Sequence, residues 1–120
     1  MLNRFFHLCL VAPLLIPLAP QDAQAYSGCG SSSWYGAEFD GQRTANGERF
    51  SSKAMTAAHR SLPFNSRIKV VNQANGRSVT IRVNDDGPHV PGRIIDLSES
   101  AFARIASLGQ GVTRVCLTRL

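Results

Sequence analysis

Two acidic turns hold the residue types with the greatest chemical capacity in this chain of 120 residues. One is Thr44-Ala45-Asn46-Gly47-Glu48, with His59 further along; the other is Asn84-Asp85-Asp86-Gly87-Pro88. Glycine, asparagine and proline make both segments turns, and turns on a small β scaffold are where reactive side chains are held out to a ligand. Glu48 and Asp85 supply the pair of carboxylates that cleavage of a glycosidic bond asks for: one acid for the departing oxygen and one group for the charge left on the sugar. The residues alone also admit a plainer reading, in which Asp85 caps its own Gly-Pro turn and Glu48 merely closes another. His59, His89 and the carboxylates follow no zinc-ligand spacing, so neither a metal nor another cofactor is expected.

Short strands must position these turns. Arg67-Ile68-Lys69-Val70-Val71 and Ser78-Val79-Thr80-Ile81-Arg82-Val83 alternate apolar and polar residues, with Asn75-Gly76 between them, which predicts a hairpin. Ser33-Trp34-Tyr35, Met55 to Ala58, Arg93 to Leu97 and Thr113 to Leu117 are further strand candidates. That number suggests a closed barrel. Ser98 is a good helix N-cap, Glu99 suits the first turn, and Ala101, Phe102, Ile105 and Leu108 make one apolar face ending at Gly109. The expected fold is therefore mainly β, with one short helix packed on the barrel.

Residues 1–25 read as a secretory signal peptide: Arg4, then an apolar run broken by Pro13, Pro17 and Pro20, then Ala23-Gln24-Ala25 as a small-x-small cleavage pattern. Residues 26–120 then form one small exported domain, acting as a monomer in the periplasm or at the cell wall, with no membrane-spanning segment. Export makes Cys29 and Cys116 a disulfide across nearly the whole domain. Cys29 lacks the preceding residues of a lipid-anchor signal, which argues against a lipidated terminus. The formal net charge of +5 suits an anionic polymer such as a carboxylate-rich wall. The basic residues are scattered singly, and with export this argues against nucleic acid.

The order of motifs then becomes recognisable. Ser33-Trp34-Tyr35-Gly36, Thr44-Ala45-Asn46-Gly47-Glu48-Arg49-Phe50, Thr56 to Phe64, Val71-Asn72 with Asn75 to Val79, Val83 to Pro88 and Gly92 to Ser98 resemble the rare lipoprotein A family. The resemblance covers about Ser32 to Leu117. It implies a six-stranded double-psi β-barrel and a septal-ring lytic transglycosylase, acting on peptidoglycan glycan strands. Such an enzyme cuts the β-1,4 bond after N-acetylmuramic acid without consuming water and leaves a 1,6-anhydro ring. By the same resemblance Asp85 is the acid that then serves as base, Glu48 the second acidic position and His59 the third.

Trp34 and Tyr35 are expected as a sugar-stacking platform, and Asn46 and Arg93 as further substrate contacts, with Arg43 as another possible cation for acetamido oxygens or acidic stem peptides. Asp96, inside an apolar strand, is expected to hydrogen-bond within the barrel rather than react. The chain departs from the family pattern at Asp86, where arginine is usual, and at Ser51, where aspartate is common. It carries neither a SPOR domain nor a lipobox, which sets septal recruitment and anchoring apart from the family name. Because expansins share the barrel, a non-catalytic wall-binding or wall-loosening module is the alternative.

Overall fold

A computed structural model describes residues 27–120; the expected signal peptide and its cleavage position after Ala25 lie outside them. Six strands form a closed barrel: β1 (Ser27–Tyr35), β2 (Thr56–Ala58), β3 (Arg67–Asn72), β4 (Ser78–Asp85), β5 (Arg93–Ser98) and β6 (Thr113–Arg119). One helix, α1 (Glu99–Ile105), follows β5. Around the barrel the order is β1-β5-β2-β4-β3-β6, with β6 pairing back onto β1. The β1/β5 and β2/β4 pairs are parallel and the others antiparallel. Closure leaves no free sheet edge, which a small β domain would otherwise expose to aggregation.

The alternation read from the sequence becomes an inward and an outward row. Ile68 and Val70 on β3, Ile81 and Val83 on β4, Ile95 and Leu97 on β5, and Val115 and Leu117 on β6 are all essentially inaccessible. Phe102 and Ile105 of α1 join this cluster. Fully burying an aliphatic side chain contributes about 1.5–3 kcal/mol, so this inner row supplies most of the force that closes the barrel.

The expected hairpin forms between β3 and β4, with Val71 opposite Ser78. Gly76 takes the left-handed conformation at φ 77°, which a side chain there would resist. Ser98 caps α1 as anticipated, its hydroxyl accepting from the Ala101 amide at 3.3 Å. The helix ends earlier than the apolar spacing suggested. Its last residue is Ile105, and Leu108 begins a separate 3-10 turn. The side-chain amides of Asn72 and Asn75 both donate to the Ile105 carbonyl, at 2.7 and 3.0 Å, so the β3–β4 hairpin terminates the helix.

Cys29 and Cys116 stand opposite each other on β1 and β6 and form the disulfide, 87 residues apart in sequence. The Cys29 sulfur is thereby committed to Cys116 rather than to a lipid. Among the described residues no helix is long and apolar enough to cross a membrane.

Candidate active site

A row of in-register residues crosses four neighbouring strands on the outer face of the barrel. Ser33 on β1 pairs with Asp96 on β5, Asp96 with Ala58 on β2, and Ala58 with Asp85 on β4. Directly paired residues project to the same face of a sheet, so the two aspartates flank one alanine. Two strand spacings separate their Cα atoms by about 10 Å. The register of β2 against β4 shifts between Ala57 and Ala58, which pairs Ala58 with Asp85 and skips Asn84. Asn84 is buried instead, its amide turned to Glu48.

Asp85 is oriented by the main chain. Its Oδ1 accepts from the amides of Ala45 and Asp86, each at 2.9 Å. Ala45 belongs to the 44–48 turn, and Glu48 explains why that turn sits where it does. Arg82 grips Glu48 with both guanidinium nitrogens, at 2.7 and 3.0 Å, while the amides of Asn84 and Asn46 each donate at 3.0 Å. Four donors on one half-exposed carboxylate favour its charged form, and the hydrogen bonds of Arg82, Asn84 and Asn46, in that order, lower its pKa to about 2. A carboxylate so held is not a proton donor at neutral pH. Asn46 is likewise occupied, its Oδ1 accepting from the Thr44 hydroxyl and the Glu48 amide.

A cavity of about 260 Å³ lies over the row, lined by Asp85, Asp96 and Ala58 below and by Tyr35, Phe39 and Phe50 at the side. Tyr35 stacks on Phe50 with ring centroids 4.4 Å apart and meets Phe39 edge-on at 6.0 Å. The buried Tyr35 hydroxyl makes no hydrogen bond of good geometry to another protein atom. Burial, then the charges of Asp85 and Asp96, raise its pKa, with a small contribution from a close approach to Asp85 that falls short of a proper bond.

Trp34 does not share this wall. Its strand neighbour Leu97 faces the core, and so does Trp34, which packs against Phe102 at 6.4 Å and donates its indole N–H to the Leu108 carbonyl at 3.2 Å. Consecutive strand residues point to opposite faces, so only one of the two aromatics could line the groove.

Asp96 is the site residue that sequence reasoning set aside. Burial raises its pKa above the usual carboxylate value; the Ser33 hydroxyl at 2.8 Å and the Arg93 charge oppose this, and the Asp85 charge adds to it. Its signal was a carboxylate between Ile95 and Leu97 in a strand whose outer face had no assigned cover. Arg93 reaches the row indirectly, through a 3.1 Å hydrogen bond to the Ser33 hydroxyl. Arg43, at the rim, donates to the Gly47 carbonyl at 2.7 Å.

His59 follows Ala58 and is buried, but it lines a second, adjoining cavity rather than the one over the aspartates. Its main-chain amide donates to the Asp85 carbonyl at 3.1 Å. Its Nδ1 accepts from the amides of Ser61 and Leu62, both at 3.1 Å, which places the ring proton on Nε2. Burial, then Arg60, lowers its pKa, so the ring is neutral at physiological pH. Asp86 is exposed and pairs with His89 at 3.4 Å beside the Gly87–Pro88 turn. Ser51 is exposed, and its hydroxyl accepts from the Lys53 amide.

Comparison with known proteins gives the chain's relatives and its fold neighbours. A sequence model of the family described as lytic transglycolase matches residues 27–117. The probable endolytic peptidoglycan transglycosylase RlpA of Synechocystis is 56% identical over 88 residues, 73% of this chain and 27% of that protein. The endolytic peptidoglycan transglycosylase RlpA of Pseudomonas aeruginosa is 49% identical over 94 residues, 78% of this chain and 28% of that protein. The chain thus spans little more than a quarter of the length of these relatives. Among solved structures, a Streptomyces papain inhibitor superposes with a TM-score of 0.64 at 23% identity, covering 79% of this chain and 94% of its own. A Clavibacter michiganensis expansin superposes at 0.63 with 19% identity, covering 79% of this chain and 50% of its own. At such identities these two likenesses speak for the double-psi barrel alone.

Proposed function

The chain belongs to the lytic transglycolase family of double-psi β-barrels, and from that premise we propose that it is an endolytic transglycosylase of peptidoglycan glycan strands. We further propose that it acts as an exported monomer after cleavage behind Ala25. The observation that carries the catalytic reading is the outer row itself: two carboxyl groups in unlike surroundings, Asp85 and Asp96, on either side of Ala58 at the floor of one cavity. Pairs of acids whose environments differ are how one site keeps a proton donor beside a charged partner.

Asp96 is the acid in this scheme, because burial favours its protonated form. It gives its proton to the glycosidic oxygen as the bond to the muramic acid C1 breaks. Asp85, aimed by the Ala45 and Asp86 amides, faces the positive charge that develops at C1 and the ring oxygen. The ionised Asp96 then takes the proton from the C6 hydroxyl as that oxygen bonds to C1. The 1,6-anhydro ring closes, no water is consumed, and Asp96 ends as it began. Tyr35 and Phe50 exclude water on one side and offer an aromatic surface to the sugar. Glu48 and His59 act as positioning residues: Glu48 holds the turn that donates to Asp85, and the main chain of His59 donates to the Asp85 carbonyl.

The test is mass spectrometry of cell-wall sacculi, and of strands stripped of stem peptides, after incubation with the purified, oxidised protein. New 1,6-anhydro-muramic ends are expected, and Asp85→Asn and Asp96→Asn should each abolish them. Strands left intact by folded protein would overturn the reading, and wall binding without new ends would favour the expansin-like module instead.

A further inference from the structure

Two cavities meet at Asp86. The first is the one over Asp85 and Asp96; the second, of about 210 Å³, is walled by His59, Arg60, Leu62, Pro63 and Phe64, and Asp86 lines both. The second cavity is carried by the 59–66 loop between β2 and β3, and this loop is tied down along its length. The amides of Ser61 and Leu62 donate to His59 Nδ1, and the amide and hydroxyl of Ser66 both donate to the Pro63 carbonyl. Asn65 adopts φ 73°, donates its amide to the Val83 carbonyl at 2.7 Å, and accepts at Oδ1 from Arg82 Nη1 at 3.0 Å. That guanidinium is the one that clamps Glu48, so a single arginine anchors both the turn that aims Asp85 and the loop that presents Phe64.

Phe64 is 44% exposed on this pinned loop. An aromatic ring held outward by a rigid backbone loses little entropy on meeting a ligand. Arg60 and Asp86, both exposed, place a cationic donor and an anionic acceptor beside it. Next to Asp85, across Asp86, the second cavity thus presents an aromatic face, a guanidinium and a carboxylate.

We propose that this second cavity is a separate subsite for an N-acetylated sugar of the same glycan strand, with Phe64 under the pyranose ring, Arg60 donating to its oxygens and Asp86 accepting an acetamido N–H at the crossing. The inference rests on the glycan-strand reading above and adds a place where strand length is sensed.

The experiment measures binding of peptide-free glycan tetrasaccharide and octasaccharide to Asp85→Asn protein, which retains the ligand, with and without Phe64→Ala. The octasaccharide should bind about tenfold more tightly than the tetrasaccharide, as one added stacking contact would give. Phe64→Ala should remove that gain and leave tetrasaccharide affinity unchanged. Main-chain amide resonances of residues 60–65 should move with the octasaccharide only. Because Phe64 is exposed, an unchanged melting temperature will show that the variant folds. Octasaccharide affinity unmoved by the substitution, or a loss equal at both lengths, overturns the inference while leaving the glycan reading intact. If neither oligomer binds and no anhydro ends form, the glycan reading itself fails.

Discussion

Glu48 acts on Asp85 through the main chain: its own carboxylate is clamped by Arg82, Asn84 and Asn46, and the turn it closes brings the Ala45 amide to Asp85 Oδ1 at 2.9 Å. One of the two expected reactive groups thus braces the turn that aims the other. A brace and a proton donor leave different traces when altered.

Glu48→Gln should lower kcat by about tenfold with KM little changed, because a misaimed Asp85 costs transition-state stabilisation rather than binding. The same variant should lose acid stability. With the folded pKa lowered to about 2 against an ordinary value of 4.5, the charged Glu48 contributes stability that is present above about pH 4.5 and fades as pH falls toward 2. Urea denaturation across that window should show wild-type stability falling and the Glu48→Gln curve flatter. The difference at neutral pH should be on the order of 1 kcal/mol, because the pair is solvent-screened.

Asp96 has the opposite sign. Its raised pKa means that the protonated form is favoured in the fold, so its contribution to stability is present at low pH and is lost as pH rises through the folded value. Asp96→Asn should therefore be inactive yet more stable than wild type at pH 7, read as a higher denaturation midpoint. If Asp96 is the donor, kcat/KM falls on the alkaline side through that raised value. In Asp85→Asn, carboxyl NMR should show Asp96 titrating at lower pH than in wild type, because the Asp85 charge is one of the influences raising its pKa.

Tyr35→Phe isolates one atom. The hydroxyl is buried beside two carboxylates and makes no good hydrogen bond within the protein, so its removal should leave stability within about 0.5 kcal/mol of wild type or raise it. Activity should fall by a few-fold or more if the hydroxyl meets substrate. Tyr35→Ala should cost both, since it removes the ring stacked on Phe50 at 4.4 Å. Chemical denaturation and the sacculus assay distinguish the two variants.

Replacing Cys29 and Cys116 by serine opens a loop of 87 residues' separation. The chain-entropy treatment assigns that closure roughly 4–5 kcal/mol, a large share of the stability of a domain this small. A correspondingly lower denaturation midpoint is expected, matched by reduction of the wild-type protein. The oxidised chain should weigh two hydrogens less than the reduced one.

Much of this molecule was legible in one dimension. Period-two alternation marked β3 and β4, Asn75-Gly76 marked their turn, Ser98 marked the start of α1, and the expectation of export marked Cys29 and Cys116 as a pair. Those signals are local or compositional, and local physics suffices to write them: side-chain parity, a left-handed glycine, a hydroxyl cap. The motifs around Glu48, His59 and Asp85 also stood out, because turn chemistry is visible in the residue types themselves.

The placement of those residues relative to one another was decided by strand order. Trp34 and Tyr35 were expected to line the groove together, and β1 pairing with β5 and β5 with β2 put only Tyr35 on the cavity face. Asp96, expected to hydrogen-bond within the barrel, does so with Ser33, but only the β5-β2-β4 order puts Ala58 between it and Asp85. Glu48 stood out in its turn, but nothing near it in the chain foretold that Arg82 of β4 would hold its carboxylate. Each of these facts joins segments far apart in the chain, and such pairings are selected by burial of the whole inner row at once, which no single stretch of sequence contains.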